Sequence, residues 1–389
     1  MIEESKLPKG WEIKRLLEIG KCVTGNTPSK NDPNNYGNYI PFVKPPQLFD
    51  NTIADAPEKL SEKGSRLARI LPINSVLVTC IGNLGRTALN KVPVASNQQI
   101  NAIIPSEKIE GSFLFYQAQS VEFRNQLESL SSATTVAIVN KSKFENIKIV
   151  LPSPLEQQKI VTKIEELFSQ LENGKQQLLT AQKQLKTYRQ SLLKSAFEGK
   201  LTNPNLKAGE LPKSWEMKKL GEICDIQTGK HDANHASSKG EFRFYTCAFE
   251  FMFCNTKRFN GESLILPGNG ANVGEVFYYN GEFDAYQRTY VLNKIKTLPK
   301  FLYYHMLCHW KKRNHDKQFG SATNYIRMGN FTDYKIAFPP ILEQQKIVAI
   351  LESKLTICDK IEETIKITLQ QSETLRQSIL KKAFEGRLV

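Results

Sequence analysis

Two histidine pairs are the first residues in this chain whose spacing could do chemistry. His305 and His309 stand one helical turn apart in "HMLCH", with Cys308 between them, and His231 and His235 repeat that spacing in a polar stretch. A zinc-type centre needs three or four converging ligands, and neither pair has an evident third carboxylate or cysteine beside it. No metal is therefore expected. Other catalytic patterns also fail. "PGNGANVGE" (Pro267 to Glu275) has the wrong glycine spacing for a dinucleotide loop, and no "GK" is followed by Ser or Thr as a phosphate-cradling loop requires. "KPPQ" and "FPPI" lack the leading Asn or Asp and the aromatic end with which a Pro-Pro tetrapeptide holds an amino group undergoing methylation. With no paired nucleophile and base either, the expectation is a binder, with no catalytic residue and no cofactor of its own.

What remains is chemistry suited to a polyanion. The 389 residues carry a formal net charge of +14, a field that draws nucleic acid to a surface. Lysine and arginine neutralise phosphates without reading sequence, whereas Asn, Gln and Arg can pair bidentately with base edges. Residues of these types cluster in two places. In the first half they are Lys30 and Lys44 around "NDPNNYGNYIPFV", Arg86 after "GNLG", and Asn97, Gln98 and Gln99 in "SNQQIN". In the second half they are Lys230, Arg243, Arg258, Gln287, Arg288 and Arg327.

Repeats show which elements must position them. "LEQQKIV" occurs at Leu155 to Val161 and again at Leu342 to Val348, an offset of 187 that also carries Ala196–Phe197–Glu198–Gly199 onto the "AFEG" ending at Gly386. Ahead of each copy, "LPKGWEIKRLLEI" from Leu7 matches "LPKSWEMKKLGEI" from Leu211 at an offset of 204, which also takes Thr24–Gly25 onto Thr228–Gly229. Farther on, Gln98 falls on Gln287 at an offset of 189. The order is block, helix, block, helix, with the second block shorter. The expected division is 1–150, 151–201, 202–337 with a short linker at 202–210, and 338–389. Of the +14, +10 falls in the two blocks, so nucleic-acid contact is expected there. Their β-branched runs, such as "VLVTCIG", alternate with turn residues and with helical stretches near Ser112 to Leu127 and Leu298 to Arg313, which predicts α+β blocks.

The segments between the blocks read as long helices. Ile164, Leu171, Leu178, Leu185 and Leu192 stand seven apart, and in the second copy Leu351, Cys358, Ile365 and Ile379 do so, with Ile361 and Leu375 on a companion seam. Two apolar seams of period seven suit packing of one helix on another. Ser153 as cap, Pro154 in the first turn, Glu156 closing a capping box and Gly199 as a left-handed stop predict the ends. The fold class expected is two α+β recognition blocks separated by two long helices packed as an antiparallel coiled coil, an internal repeat with approximate two-fold symmetry. Seven cysteines without a CxxC pair point to reduced thiols, and the acidic start and lack of an 18-residue apolar run predict neither leader nor membrane span. A cytoplasmic location follows as an expectation.

The opening "LPKGWEIKRL", the stretch "TGNTPSKNDPNNYGNYIPFVK", and "LPSPLEQQKIVTKIEELF" with "LKTYRQSLLKSAFEGKL" resemble the specificity subunit of type I DNA restriction-modification systems, across essentially the whole chain. The resemblance implies two target recognition domains, each reading one half of a split double-stranded DNA sequence, held apart by two helices. It further implies docking of two methyltransferase subunits and, in the full complex, two motor-nuclease restriction subunits, with S-adenosylmethionine, ATP and Mg used by those partners. One departure is visible: the second block reads "TGKHDANHASS" where the first reads "TGNTPSKNDPN". Two rivals stand beside this reading, a coiled-coil scaffold whose basic blocks bind nucleic acid non-specifically, and a metal hydrolase built on the His-rich stretch.

Overall fold

In a computed structural model, described over residues 7–132, 136–207, 209–315 and 324–389, the chain divides into two compact units, 1–178 with 367–389, and 179–366. The acidic start, Met1 to Lys6, lies outside the described residues.

In the first unit the strands Gly20–Thr24, Ile100–Pro105, Val76–Thr79, Thr87–Asn90 and Asn51–Ile53 lie in that order in one sheet. All neighbours are antiparallel except the last pair. Val76–Thr79 is buried at every position, which is why Val76, Leu77 and Val78 follow one another without polar alternation. A second sheet pairs Tyr36–Val43 parallel to Val94–Ser96, and Glu12–Arg15 pairs with Lys148–Leu151. The second unit repeats the plan: Asp225–Thr228, Thr289–Asn293, Glu262–Pro267 and Phe277–Asn280 in order, Phe242–Tyr245 parallel to Phe283–Ala285, and Glu216–Lys219 against Lys335–Phe338. The first block's extra length lies mostly between Val43 and Val76, where it forms Asn51–Ile53, Lys59–Leu60, Glu62–Leu67 and Ile70–Leu71. The fold is α+β, built twice.

The two long helices span Pro154–Phe197 and Ile341–Phe384, 44 residues each, about 66 Å at ~1.5 Å per residue. Each enters its block through the first glutamine of the repeated motif. Gln157 Oε1 accepts the Glu110 N–H at 2.9 Å while its Nε2 donates to the Pro152 carbonyl at 3.1 Å. Gln344 does the same with Leu298 N (3.2 Å), the Thr297 hydroxyl (2.6 Å) and the Pro339 carbonyl (2.9 Å). The expected capping box at Glu156 is corrected: its carboxylate accepts the Trp11 indole N–H at 2.9 Å, from the "KGW" that the second copy replaces with "KSW". At the far ends Gly199 and Gly386 take φ of +78° and +68°, the left-handed stop that favours glycine. A side chain at Gly199 would collide with the Pro212 ring, and one at Gly386 with Pro8, so each "AFEG" closes on the proline of an "LPK".

Within the first unit, Ile160, Val161 and Ile164 share a cluster with Ile379, Leu380 and Ala383, and the Arg376 guanidinium lies 4.3 Å over the Phe168 ring. Within the second, Leu192, Ala196 and Phe197 join Ile347, Val348 and Leu351, and Arg189 pairs with Asp359 (2.7 Å) and Glu362 (3.0 Å). In both units later residues of one helix meet earlier residues of the other, so the segments run antiparallel. Ile164, Leu192, Leu351, Cys358, Ile365 and Ile379 are buried, and Leu171, Leu178 and Leu185 are half-buried. Ile361 and Leu375 correct the expected companion seam, being 44% and 50% exposed. The covered companions, Leu355 and Ala383, follow the main seam by four residues instead of three, so the apolar stripe leans to the other side of the helix.

Candidate nucleic-acid interface

In the first block the rim of the central sheet is made where the Thr24–Gly25 turn crosses the segment Ser96 to Gln99. Gly25 is pressed against the backbone carbonyls of Ser96 and Asn97, with no room for a Cβ. The two edges are tied by the Thr27 hydroxyl, which donates to Gln98 Oε1 at 2.6 Å, and by Thr24, which donates to Asn101 Oδ1 at 2.7 Å. This crossing leaves Gln98 exposed and Gln99 half-buried. Asn97 turns inward: it is buried, its Nδ2 donates to Gln99 Oε1 at 2.9 Å and its Oδ1 accepts from Gln99 N at 3.2 Å. Its amide is therefore used locally, in the side-chain-to-backbone turn that Asn favours, and not offered to a ligand. Lys30 and Arg86 are exposed. Lys44 is half-buried, ion-paired to Glu58 and 5.6 Å over the Phe42 ring, so its charge is largely compensated within the block.

The second block makes the same crossing. Gly229 is pressed against the carbonyls of Ala285 and Tyr286, and the Gln287 N–H donates to the His231 carbonyl at 2.9 Å. Lys230, Gln287, Arg288, Arg258 and Arg327 are exposed. Arg258 donates to Gln227 Oε1 at 3.3 Å, and Arg327 donates to the Tyr325 hydroxyl at 2.9 Å. Arg243 departs from expectation. Its guanidinium lies 4.2 Å from the centroid of the Phe251 ring and 4.4 Å from that of Tyr279, and donates to the Tyr245 hydroxyl at 3.3 Å. Cation–π contact with two rings holds its charge in place within the block. Burial raises the Tyr245 hydroxyl above its ordinary value, against the opposing pull of Arg243.

Gln287 and Arg288 come together on a cavity of about 410 Å³, also lined by Gly268, Asn269, Tyr290 and Tyr325. Asn269 bridges to Tyr325 as Ile81 bridges to Ile138 in the first block, so the cavity sits at a repeated junction of the fold. Burial raises the Tyr290 hydroxyl as well. Sequence reasoning passed over Asn269 and Tyr325. The only signal was their alignment with Ile81 and Ile138 under the repeat, visible once the offset near 188 is applied. With an amide, a guanidinium and tyrosine hydroxyls on one rim, this edge can hydrogen-bond a base or grip a phosphate.

The histidine pairs separate. His305 is buried 5.0 Å from the Phe197 ring centroid and beside Tyr334, and burial holds its pKa well below the usual histidine value. It belongs to the core. His231 and His235 stay half-exposed on the loop after Gly229, and the fold adds Asp284 to them, a third candidate ligand that lies 49 residues beyond His235 and could not be paired with it from spacing alone.

Residues 8–181 and 212–371 match the family described as the type I restriction modification DNA specificity domain. The type I restriction enzyme EcoDI specificity subunit of Escherichia coli is 35% identical over 183 residues, 47% of this chain and 40% of that one. The StySPI specificity subunit of Salmonella potsdam is 23% identical over 426 residues, covering 100% of this chain and 91% of that one. Over three such subunits the chain spans roughly half their length or less, 40%, 54% and 37%. Among solved structures, a chain from a study of assembly and conformational transition in the type I R-M system superposes with a TM-score of 0.79 at 23% identity, over 98% of this chain and 99% of that one. The HsdS subunit from Thermoanaerobacter tengcongensis gives 0.66 at 23% identity, over 98% of each chain. Two matched segments, one in each copy of an α+β block that the sequence had repeated, make the assignment: this chain belongs to the type I restriction-modification DNA specificity domain family.

Proposed function

We propose that this chain is the DNA-recognition subunit of a type I restriction-modification assembly, each block contacting one part of a bipartite, asymmetric duplex target. The observation that supports this best is a rim built twice on one plan with different side chains. Thr27, Gln98 and Gln99 in the first block stand where His231, Gln287 and Arg288 stand in the second. Glutamine pairs bidentately with adenine and arginine with guanine, so unlike rims suit unlike half-sites. Lys30, Arg86, Lys230, Arg258 and Arg327 supply phosphate contacts that set orientation.

The long helices join the blocks and offer docking surface to two methyltransferase subunits, and through them to two restriction subunits. Methyl transfer from S-adenosylmethionine and ATP- and Mg-dependent cleavage are the partners' chemistry; this chain's part is to choose the site, in the cytoplasm. Among the described residues no helix is long and apolar enough to cross a membrane.

The test is binding, with methyltransferase subunits present, to a duplex carrying the bipartite target and to the same duplex with its spacer lengthened by two base pairs. Two base pairs turn one half-site by about a fifth of a helical turn, and affinity is expected to fall about tenfold or more. Equal affinity for both, together with a steep loss in salt, would instead describe a non-specific polyanion binder.

A further inference from the structure

His231, His235 and Asp284 each offer one ligand atom, and these atoms lie within 4.8 Å of one another. We propose that these three side chains bind one zinc-class divalent ion, which fastens the loop from Gly229 to Ser237 onto the strand Phe283–Ala285.

Asp284 is 1% exposed. Its carboxylate accepts from the Thr256 hydroxyl at 2.6 Å and the Ala285 N–H at 2.8 Å, but among the described residues no lysine or arginine pairs with it. Among the described residues the nearest basic group is His231 Nε2 at 3.6 Å. A buried carboxylate left without a full cation is costly, and a dication would answer that charge. The imidazoles stack with centroids 3.7 Å apart and planes 5° from parallel. The stack keeps both rings beside the same carboxylate, within reach of one ion.

The supporting parts of a metal site are also in place. His235 Nε2 meets the Thr256 hydroxyl at 2.8 Å, so one threonine ties a ring to the carboxylate, as outer-shell groups do around metals. Asp232 accepts the Ala233 N–H at 2.8 Å and so shapes the turn Ala233–His235, and His231 bridges to Tyr286. The half-exposed histidines leave an entry path and room for water as a further ligand. Ligands of a tetrahedral ion stand about 3.4 Å apart when each bond is ~2.1 Å, so the cluster needs a contraction on the order of 1 Å and a turn of each ring that aims a lone pair at the ion. Each ring keeps one N–H and ligates through its other nitrogen.

The matching positions of the first block are Thr27, Asn31 and Ala95, which could not bind such an ion. The device therefore belongs to the second rim alone. Because the His231 carbonyl accepts the Gln287 N–H, an ion there would stiffen the edge that presents Lys230, Gln287 and Arg288.

The test uses the untagged full chain, stripped with chelator and titrated with Co²⁺ as the probe. Expected are one Co²⁺ per chain, a visible d–d absorption band and a rise in melting temperature. His231→Ala and His235→Ala should lose all three, and Thr256→Val should weaken binding by about 10–100-fold. If His235→Ala fails to fold, His231→Ala, at a half-exposed site, carries the test. A wild-type chain that takes up no stoichiometric Co²⁺ overturns the proposal, and so does uptake undiminished in the histidine variants. No DNA enters the measurement, so its failure is separable from failure of the recognition reading.

Discussion

Gln157 and Gln344 show why a short motif is kept twice. Both are nearly fully buried, at 1% and 5% exposure, and each amide joins the first turn of a long helix to the loop ahead of a block helix. A docking motif would face outward; these glutamines face inward, while Leu155 and Leu342, 65% and 70% exposed, lie open together with Gln158, Lys159, Gln345 and Lys346. Replacing Gln157 by leucine strands the Glu110 N–H and the Pro152 carbonyl, so stability in urea should fall by about 1–3 kcal/mol, and Gln344→Leu should behave alike. At this scale a sequence shows residue type but not direction. Asn97, Lys44 and Arg243 had the right chemistry for a nucleic-acid rim, yet a turn amide, a glutamate and two aromatic rings hold them within the block.

The long helices were legible from their heptads and their length, because period and end signals are local properties. Which side of the stripe is covered was not legible, since that depends on the neighbour's shape. Leu355 and Ala383 took the place expected of Ile361 and Leu375. The distinction is measurable. Ile164→Ala, at a fully buried position, should destabilise by about 2–5 kcal/mol, whereas Leu375→Ala and Ile361→Ala in the isolated chain should stay within about 0.5 kcal/mol. If the exposed pair instead meets a methyltransferase subunit, the same two substitutions should weaken assembly while leaving unfolding unchanged. The strands followed the β-branched runs, but sheet order could be read only by comparing two copies of one block. The Asp284 contact with the His loop was invisible for the same reason that strand pairing was: it is long-range.

For the molecule as a whole, the repeat makes the course of the chain almost cyclic. Gly386 meets Pro8 as Gly199 meets Pro212, and Leu7 and Leu388 flank the same apolar cluster. The backbone passes from first helix to second block through a junction that its own last and first segments imitate without a covalent bond. A chain opened near Asn203 and joined by a few residues between Val389 and Leu7 should therefore fold. It should match the parent in urea unfolding to within about 1 kcal/mol, the scale on which a short loop closure differs. A permuted chain that aggregates or unfolds far earlier would show that the covalent link at 199–212 does more than its unlinked twin. If the permutant folds, the two junctions are interchangeable, and halves taken from related chains would join at a seam already shaped to receive them.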